Sequence, residues 1–334
     1  MKILLMFCLL AAGTTIYAEE CSQLDILKAQ RNGASFDVTL RVVDDMGVPV
    51  EGARCEGWMW IDAHKDNGSS YETVTDSNGL ARVTGKCGKW VSVAVSKEGY
   101  YSSQDEIRFS GLKKKGVLGL YEWQPYGSDV RVVLKRIINP TATGKRFIEQ
   151  AIPAYGKWIG YDLEKAEWTP PYGNGKQSDV RIRFSAREVG MFDFGFKMEL
   201  SFEEHPFAGV TRVKKNTKST FQSVYNATTN SAYRGIVQFE VDRTGAAKRV
   251  WDQLEDDEYL VFRTRTKVNE RGELVSAHYG RIDGEWKFYE RHCMWVRGIY
   301  FNPIPNDTNL EDLETAERSR RDYLQQQEMR KNRK

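Results

Sequence analysis

Histidine is scarce in this chain, and its four copies, His64, His205, His278 and His292, are scattered. None opens an H-x-x-E, H-E-x-x-H or H-x-H pattern, whereas a catalytic zinc takes three protein ligands and keeps a fourth position open. No C-x-x-C spacing occurs among the 5 cysteines, which removes the usual structural zinc arrangements. A G-x-S-x-G nucleophile elbow is missing, as are Walker-type and G-x-G-x-x-G phosphate loops. Neither a catalytic constellation nor a metal nor a cofactor is expected. Charge of one sign is missing too: 49 Lys and Arg face 46 Asp and Glu, so that without Lys2 the count is 48 against 46, a net +2. No phosphate-binding field follows from that balance, and nucleic acid is not expected as a partner. The basic runs "LKKKG" (112–116) and "VKKNTK" (213–218) read as solvated loops.

Long apolar runs are confined to the first residues. "MKILLMFCLLAAGTTIYA" (1–18) places Lys2 before an apolar stretch from Ile3 to Ala12 and ends on small residues at Ala18. That is the order of a cleaved secretory signal. The stretch stops at Gly13, well short of the roughly 20 residues that a membrane span needs. A secreted or periplasmic location is therefore expected, with no transmembrane span after cleavage. Four cysteines, Cys21, Cys55, Cys87 and Cys293, then remain. They allow three pairings that sequence does not separate. A bridge between Cys55 and Cys87, both within one expected sandwich, is the expected pairing.

What the chain does have is alternation. In "FDVTLRVVDD", Phe36, Val38, Leu40 and Val42 alternate with Asp37, Thr39, Arg41 and Val43, the period of a half-buried strand. "MGVPVEGA" forces a turn through Gly47 and Pro49, "TVTDSNGLARVTG" sets turn formers between two short strands, and "KWVSVAVSKEGYY" opposes Trp90, Ser92, Ala94 and Ser96 to Val91, Val93 and Val95. Strands punctuated in this way describe a β-sandwich. "VVDDMGVPVEGARC", "TVTDSNGLARVTG" and "VSKEGYY", closed by "DVRVVLKRI" (129–137), resemble in order and spacing the signatures of the carboxypeptidase regulatory-like, or prealbumin-like, domain. The resemblance covers about residues 36–137. It implies a fold and no activity, because such domains accompany many exported proteins and fold does not transfer function.

The expected organisation is a signal peptide (1–18), an N-terminal linker (19–35), the regulatory-like sandwich (36–138), a second antiparallel β domain (139–310) and a charged helical tail (311–334). The fold class is all-β. Within the second domain, "AAKRVWDQLEDDEYL" (246–260) reads as one short helix. The tail, with sparse apolar residues, is expected to be frayed and dispensable for folding.

Other residue pairs do not make a reactive centre. Cys293 adjoins His292, yet neighbours on a strand point to opposite faces. Glu203 with Glu204 and Asp256 with Asp257 read as solvated acids, and the oxygens of "DDMG" (44–47) and "TDSNG" (75–79) as turn formers rather than calcium ligands. Surplus rings remain. Trp58, Trp60, Trp123 and Tyr126 are the candidate ligand-binding residues, because flat rings with a polar edge suit stacking on sugars or burial in a partner. The expected function is a non-enzymatic exported protein binding a glycan or an envelope protein. Rival readings are an assembly component of a bacterial envelope complex and an enzyme of unrecognised type in the second domain.

Overall fold

A computed structural model describes residues 21–61, 67–115, 120–190, 193–215, 218–229, 233–245, 247–251, 254–289 and 293–333. The expected signal peptide, His64 and His292 lie outside the described residues.

The expected linker is in part a helix, α1 (Gln23–Asn32). Ser22 caps it: the Ser22 hydroxyl accepts the Asp25 N–H at 3.2 Å, and the Asp25 carboxylate accepts the Ser22 N–H at 3.0 Å. The Tyr121 hydroxyl donates to the same carboxylate at 2.5 Å and ties the helix to the sandwich. Tyr121, and then Ser22, hold the Asp25 carboxyl down at about 2 against an ordinary 3.8. A depressed carboxyl stabilises the fold above the unfolded value and loses that contribution as pH falls through the folded one. The expected result of a side-chain carboxyl NMR titration is a midpoint near 2 for Asp25; a midpoint near 3.8 would show that the contact with Tyr121 is not made in solution.

Ten strands follow: β1 (Ala34–Asp44), β2 (Arg54–Trp60), β3 (Gly68–Val74), β4 (Leu80–Cys87), β5 (Trp90–Ser96), β6 (Tyr100–Tyr101), β7 (Ser103–Arg108), β8 (Gly111–Lys115), β9 (Leu120–Gln124) and β10 (Ser128–Arg136). One sheet runs β6-β10-β1-β9-β8 with β4 also on β1, and the other runs β3-β2-β5-β7. Between them lie Phe36, Val38, Leu40 and Val42 from one side and Cys55, Met59, Val91, Val93 and Val95 from the other, the inward phase of each alternation. The turns work as their residues dictate. Asp44 accepts the N–H groups of Met46 and Val48 at 2.9 and 2.8 Å, and Asp76 accepts those of Asn78 and Leu80, both at 2.9 Å. Gly79 has φ 72°, and a Cβ there would sit 2.4 Å from the Val42 carbonyl oxygen.

Cys55 and Cys87 are buried thiols, and the expected bridge between them is not formed. Their places in the sheets give the reason. Gly88, next to Cys87, donates its N–H to the carbonyl of Trp60, five residues along β2 from Cys55. At about 3.3 Å per residue that separates the two ends by roughly 16 Å, whereas a disulfide needs Cα atoms within about 7 Å. Burial instead pushes both thiols up to about 12.

The remaining strands are β11 (Thr143–Ala151), β12 (Trp158–Asp162), β13 (Glu167–Trp168), β14 (Val180–Gly190), β15 (Asp193–Ser201), β16 (Gly209–Lys214), β17 (Ile236–Thr244), β18 (Ala247–Trp251), β19 (Glu258–Val268), β20 (Leu274–Tyr289) and β21 (Cys293–Phe301). They form two antiparallel sheets, β11-β21-β20-β19-β16 and β13-β12-β14-β15-β17-β18, which share a core of Ile182, Phe184, Met198, Leu260, Phe262, Ile282 and Trp286 among others. The helix expected over 246–260 is replaced by β18, which pairs with β17, and by the start of β19. Val250 and Leu254, four apart, satisfy a helix period, but pairing with an adjacent strand decides the outcome.

The terminal helix, α2 (Leu313–Arg333), is no free tail. Glu311, Asp312, Thr315, Ala316 and Ser319 are buried. Glu311 accepts the Tyr101 hydroxyl at 3.1 Å and the N–H groups of Ile138 and Asn139 at 2.9 and 2.8 Å, while Asp312 pairs with Arg281 at 2.7 Å. Tyr101 belongs to the first sandwich and Arg281 to the second. The start of the helix thus joins both.

Candidate functional site

Period-two alternation places Glu56, Trp58 and Trp60 on the outer face of β2, and Trp90, Ser92 and Ala94 on the outer face of β5. The strands are neighbours. Their indoles therefore meet: Trp58 and Trp60 have ring centroids 5.7 Å apart at 54°, and Trp60 and Trp90 are 5.6 Å apart at 42°. All three are half-buried on a face whose opposite side already fills the core. The rim is polar. The Ser92 hydroxyl accepts the backbone N–H of Trp58 at 2.7 Å, and Arg108, paired across from Trp90, holds Glu106 at 3.0 Å. Helix α2 borders one end, where Gln326 donates to Glu56 at 2.5 Å and accepts the Ser96 hydroxyl at 2.6 Å.

The four rings singled out in the sequence do not converge. Trp58 and Trp60 come together; Trp123 points inward from β9, stacks on Phe109 at 6.2 Å and donates its indole N–H to the Cys87 carbonyl at 2.8 Å. It is 1% exposed and belongs to the core. Tyr126 is exposed, but its turn hangs on the other sheet through Gly127, whose N–H donates to the Asp37 carbonyl. Trp90 was missed as a candidate. Its signal was present, since it falls on the polar phase of its strand.

Of the four acids read as solvated, two are paired on the surface: Glu204 with Arg181 at 3.2 Å and Asp257 with Lys214 at 3.5 Å. Asp44 and Asp76 are occupied by turn N–H groups. Among the described residues no group of three or more His, Cys, Asp and Glu side chains is placed to hold a metal ion, and no helix is long and apolar enough to cross a membrane.

One buried amine stands out between the sandwiches. Lys135 is 1% exposed, donates to the Ser223 carbonyl, and lies 4.3 Å from the ring centres of both Phe221 and Tyr225. Burial pulls its ammonium down to about 8. Two rings and a carbonyl enclose the nitrogen, so it serves the junction rather than an approaching carbonyl substrate. Between "VSKEGYY" and "DVRVVLKRI" lie β7 and an edge hairpin of β8 and β9.

No protein-family model and no curated protein matches the chain. Among solved structures, 3-chlorocatechol 1,2-dioxygenase from Rhodococcus opacus 1CP matches with a TM-score of 0.25 and 14% identity, over 31% of this chain and 61% of its own. Catechol 1,2-dioxygenase from Acinetobacter sp. ADP1 gives 0.25 and 15% over 32% and 54%, and that of Acinetobacter radioresistens 0.25 and 12% over 34% and 55%. The chain thus spans 61% or less of the length of these three structures. Likeness of this degree carries no statement about fold or chemistry.

Proposed function

We propose that the protein is an exported, non-enzymatic binding protein whose first sandwich is a carboxypeptidase regulatory-like module and whose Trp58, Trp60 and Trp90 face receives an extracellular polysaccharide. The observation that carries this reading is the convergence of three indoles on the outer face of a sheet whose inner face already supplies the core. Rings held by neighbouring strands lose little conformational freedom on binding, and their faces accept the C–H surfaces of sugars while the rim of Ser92, Glu106 and Arg108 meets hydroxyls. Export rests on the order of charges and apolar residues in the first 18 positions.

The test is titration with the neutral glycans selected from an array, using wild type, Trp60→Ala and Trp90→Ala. Loss of a ring that anchors a ligand costs about 1–3 kcal/mol, a rise in Kd of roughly fivefold to more than a hundredfold, with the melting temperature of each variant as the folding control. Unchanged affinity in both variants would remove the face from the site. Product release from a bound glycan that a chelator abolishes would overturn the non-enzymatic reading.

A further inference from the structure

A second surface lies between the sandwiches. Two recesses, of about 530 and about 460 Å³, share Arg131 and Val133 and form one groove along the outer face of β10. The first sandwich contributes Arg131 and, from β7, Asp105; the second contributes Arg297 from β21, Asp256 from the turn before β19, and Lys218. Lys218 is placed by backbone pairing, because Gln104 donates its N–H to the Lys218 carbonyl at 3.3 Å and Thr220 donates to that of Ser102 at 2.8 Å. Residues 218–220 thereby extend the sheet beyond β7.

Several guanidinium groups outside this groove are paired. Arg136 is neutralised by Asp44, Arg183 by Glu199, and Arg187 by Asp193 and Asp242. Among the described residues, the guanidinium groups of Arg131 and Arg297 and the ammonium of Lys218 have no ion-pair or hydrogen-bond partner, and neither has the carboxylate of Asp256. Three cations without acceptors stand beside Asp256, which has no donor, and Asp105, whose carboxylate accepts the Glu106 N–H at 2.8 Å and keeps its other oxygen open, all on elements fixed by strand pairing or a tight turn.

We propose that this groove binds a carboxylated polysaccharide, one whose sugar units carry both carboxylate and hydroxyl groups. A guanidinium matches a planar carboxylate with two parallel hydrogen bonds, so Arg131 and Arg297 take the acidic groups, with Lys218 as a third positive point. Sugar hydroxyls donate to Asp105 and Asp256. A ligand with only one of these chemistries leaves half of the lining unanswered. A duplex nucleic acid carries one charge per about 1.7 Å of axis and sets phosphates against Asp105 and Asp256, while an acidic polypeptide brings carboxylates without sugar hydroxyls. The inference rests on the glycan reading above for its ligand class, and its site is a different one.

The experiment is isothermal titration of the full exported chain at about 150 mM salt, where purely diffuse attraction is screened beyond about 8 Å. Polygalacturonate, neutral galactan, polyglutamate and duplex DNA are the probes. Wild type is expected to bind polygalacturonate at least about tenfold more tightly than the other three. R131Q/R297Q is expected to lose at least about tenfold for polygalacturonate, while R271Q, which removes an exposed charge on a distant turn, leaves it unchanged. K218Q gives the same reading through a smaller loss if the double variant does not fold. W60A/W90A is expected to keep polygalacturonate binding, so that failure of the tryptophan face and failure of the groove are read separately. Absence of polygalacturonate binding, binding retained in R131Q/R297Q and K218Q, or polyglutamate or DNA bound as tightly would each overturn the proposal.

Discussion

Asp312→Ala is expected to destabilise the protein by about 3–5 kcal/mol, the usual cost of removing one partner from a buried ion pair. Arg281 and Asp312 have side chains 2% and 0% exposed and meet at 2.7 Å. Burial opposes the charge on Arg281, and Asp283 and Asp312 together outweigh it and hold the guanidinium protonated. Asp283 stays at 3.2 Å in the variant, which sets the loss toward the lower end of the range. Asp312 also accepts the Thr315 N–H at 2.7 Å at the start of α2, and loss of a helix cap adds about 1 kcal/mol. Truncation after Leu310 is expected to cost more. It removes Glu311 from Tyr101, Ile138 and Asn139, and takes Ser319 from the Ser102 N–H at 3.3 Å and the Thr220 hydroxyl at 3.1 Å. For a chain of this size 1 kcal/mol moves the melting temperature by about 2–4 °C. Thermal melts should therefore fall by well over 6 °C for Asp312→Ala and further for the truncation; a shift under about 3 °C in either would show that the tail is dispensable after all.

The tail shows why composition misleads where polar side chains do structural work. Its apolar residues are too sparse for a core stripe, and that is what the sequence displays. What fastens it is Glu311, Asp312, Thr315 and Ser319, each answering a donor or cation from elsewhere in the chain, and no local period announces such partners. Alternation was legible because it is local: it set Trp90 on the phase opposite Val91, Val93 and Val95, while Trp58 and Trp60 stood out only as surplus rings. Trp123 needed more than its own strand. Its orientation follows from β9 joining β1 at a single pair, Ser35 with Glu122, a contact 87 positions apart in sequence. Helix α1 was signalled by Ser22 and Asp25 at capping-box spacing, and the reading of residues 19–35 as a linker passed over it. Of the groove only Lys218 stands in a basic run, "VKKNTK", which reads as a solvated loop; Arg131 and Arg297 come from different sandwiches and neither stands in such a run.

Arg265→Met is the second change expected to have a large effect, again about 3–5 kcal/mol at pH 7. The register of β19 on β20 shifts between Thr264 and Lys267, a bulge of the kind that re-aims a side chain. From it the Arg265 guanidinium reaches Asp179 at 2.8 and 3.0 Å, Glu164 at 2.6 Å and Asp162 at 3.4 Å, with the Phe301 ring centre 4.4 Å away. Asp162 keeps other support, since it accepts the N–H groups of Lys165 at 3.0 Å and Lys176 at 2.8 Å. Asp179 is the vulnerable partner. Its side chain is 0% exposed, and burial already raises its carboxyl above the ordinary 3.8 although Arg265 pulls the other way. Without Arg265 it rises further. A carboxyl raised in the folded state weakens the fold above its folded value, and stability returns as pH falls through that value toward 3.8. The deficit of Arg265→Met relative to wild type should accordingly shrink between pH 7 and pH 5 in urea melts read at constant m-value. Asp179→Asn combined with Arg265→Met should lose less than the sum of the single changes, because groups within one network couple. A deficit that stays equal at both pH values, with strictly additive variants, would mean that Arg265 acts by packing on Phe301 and not by answering the buried carboxylate.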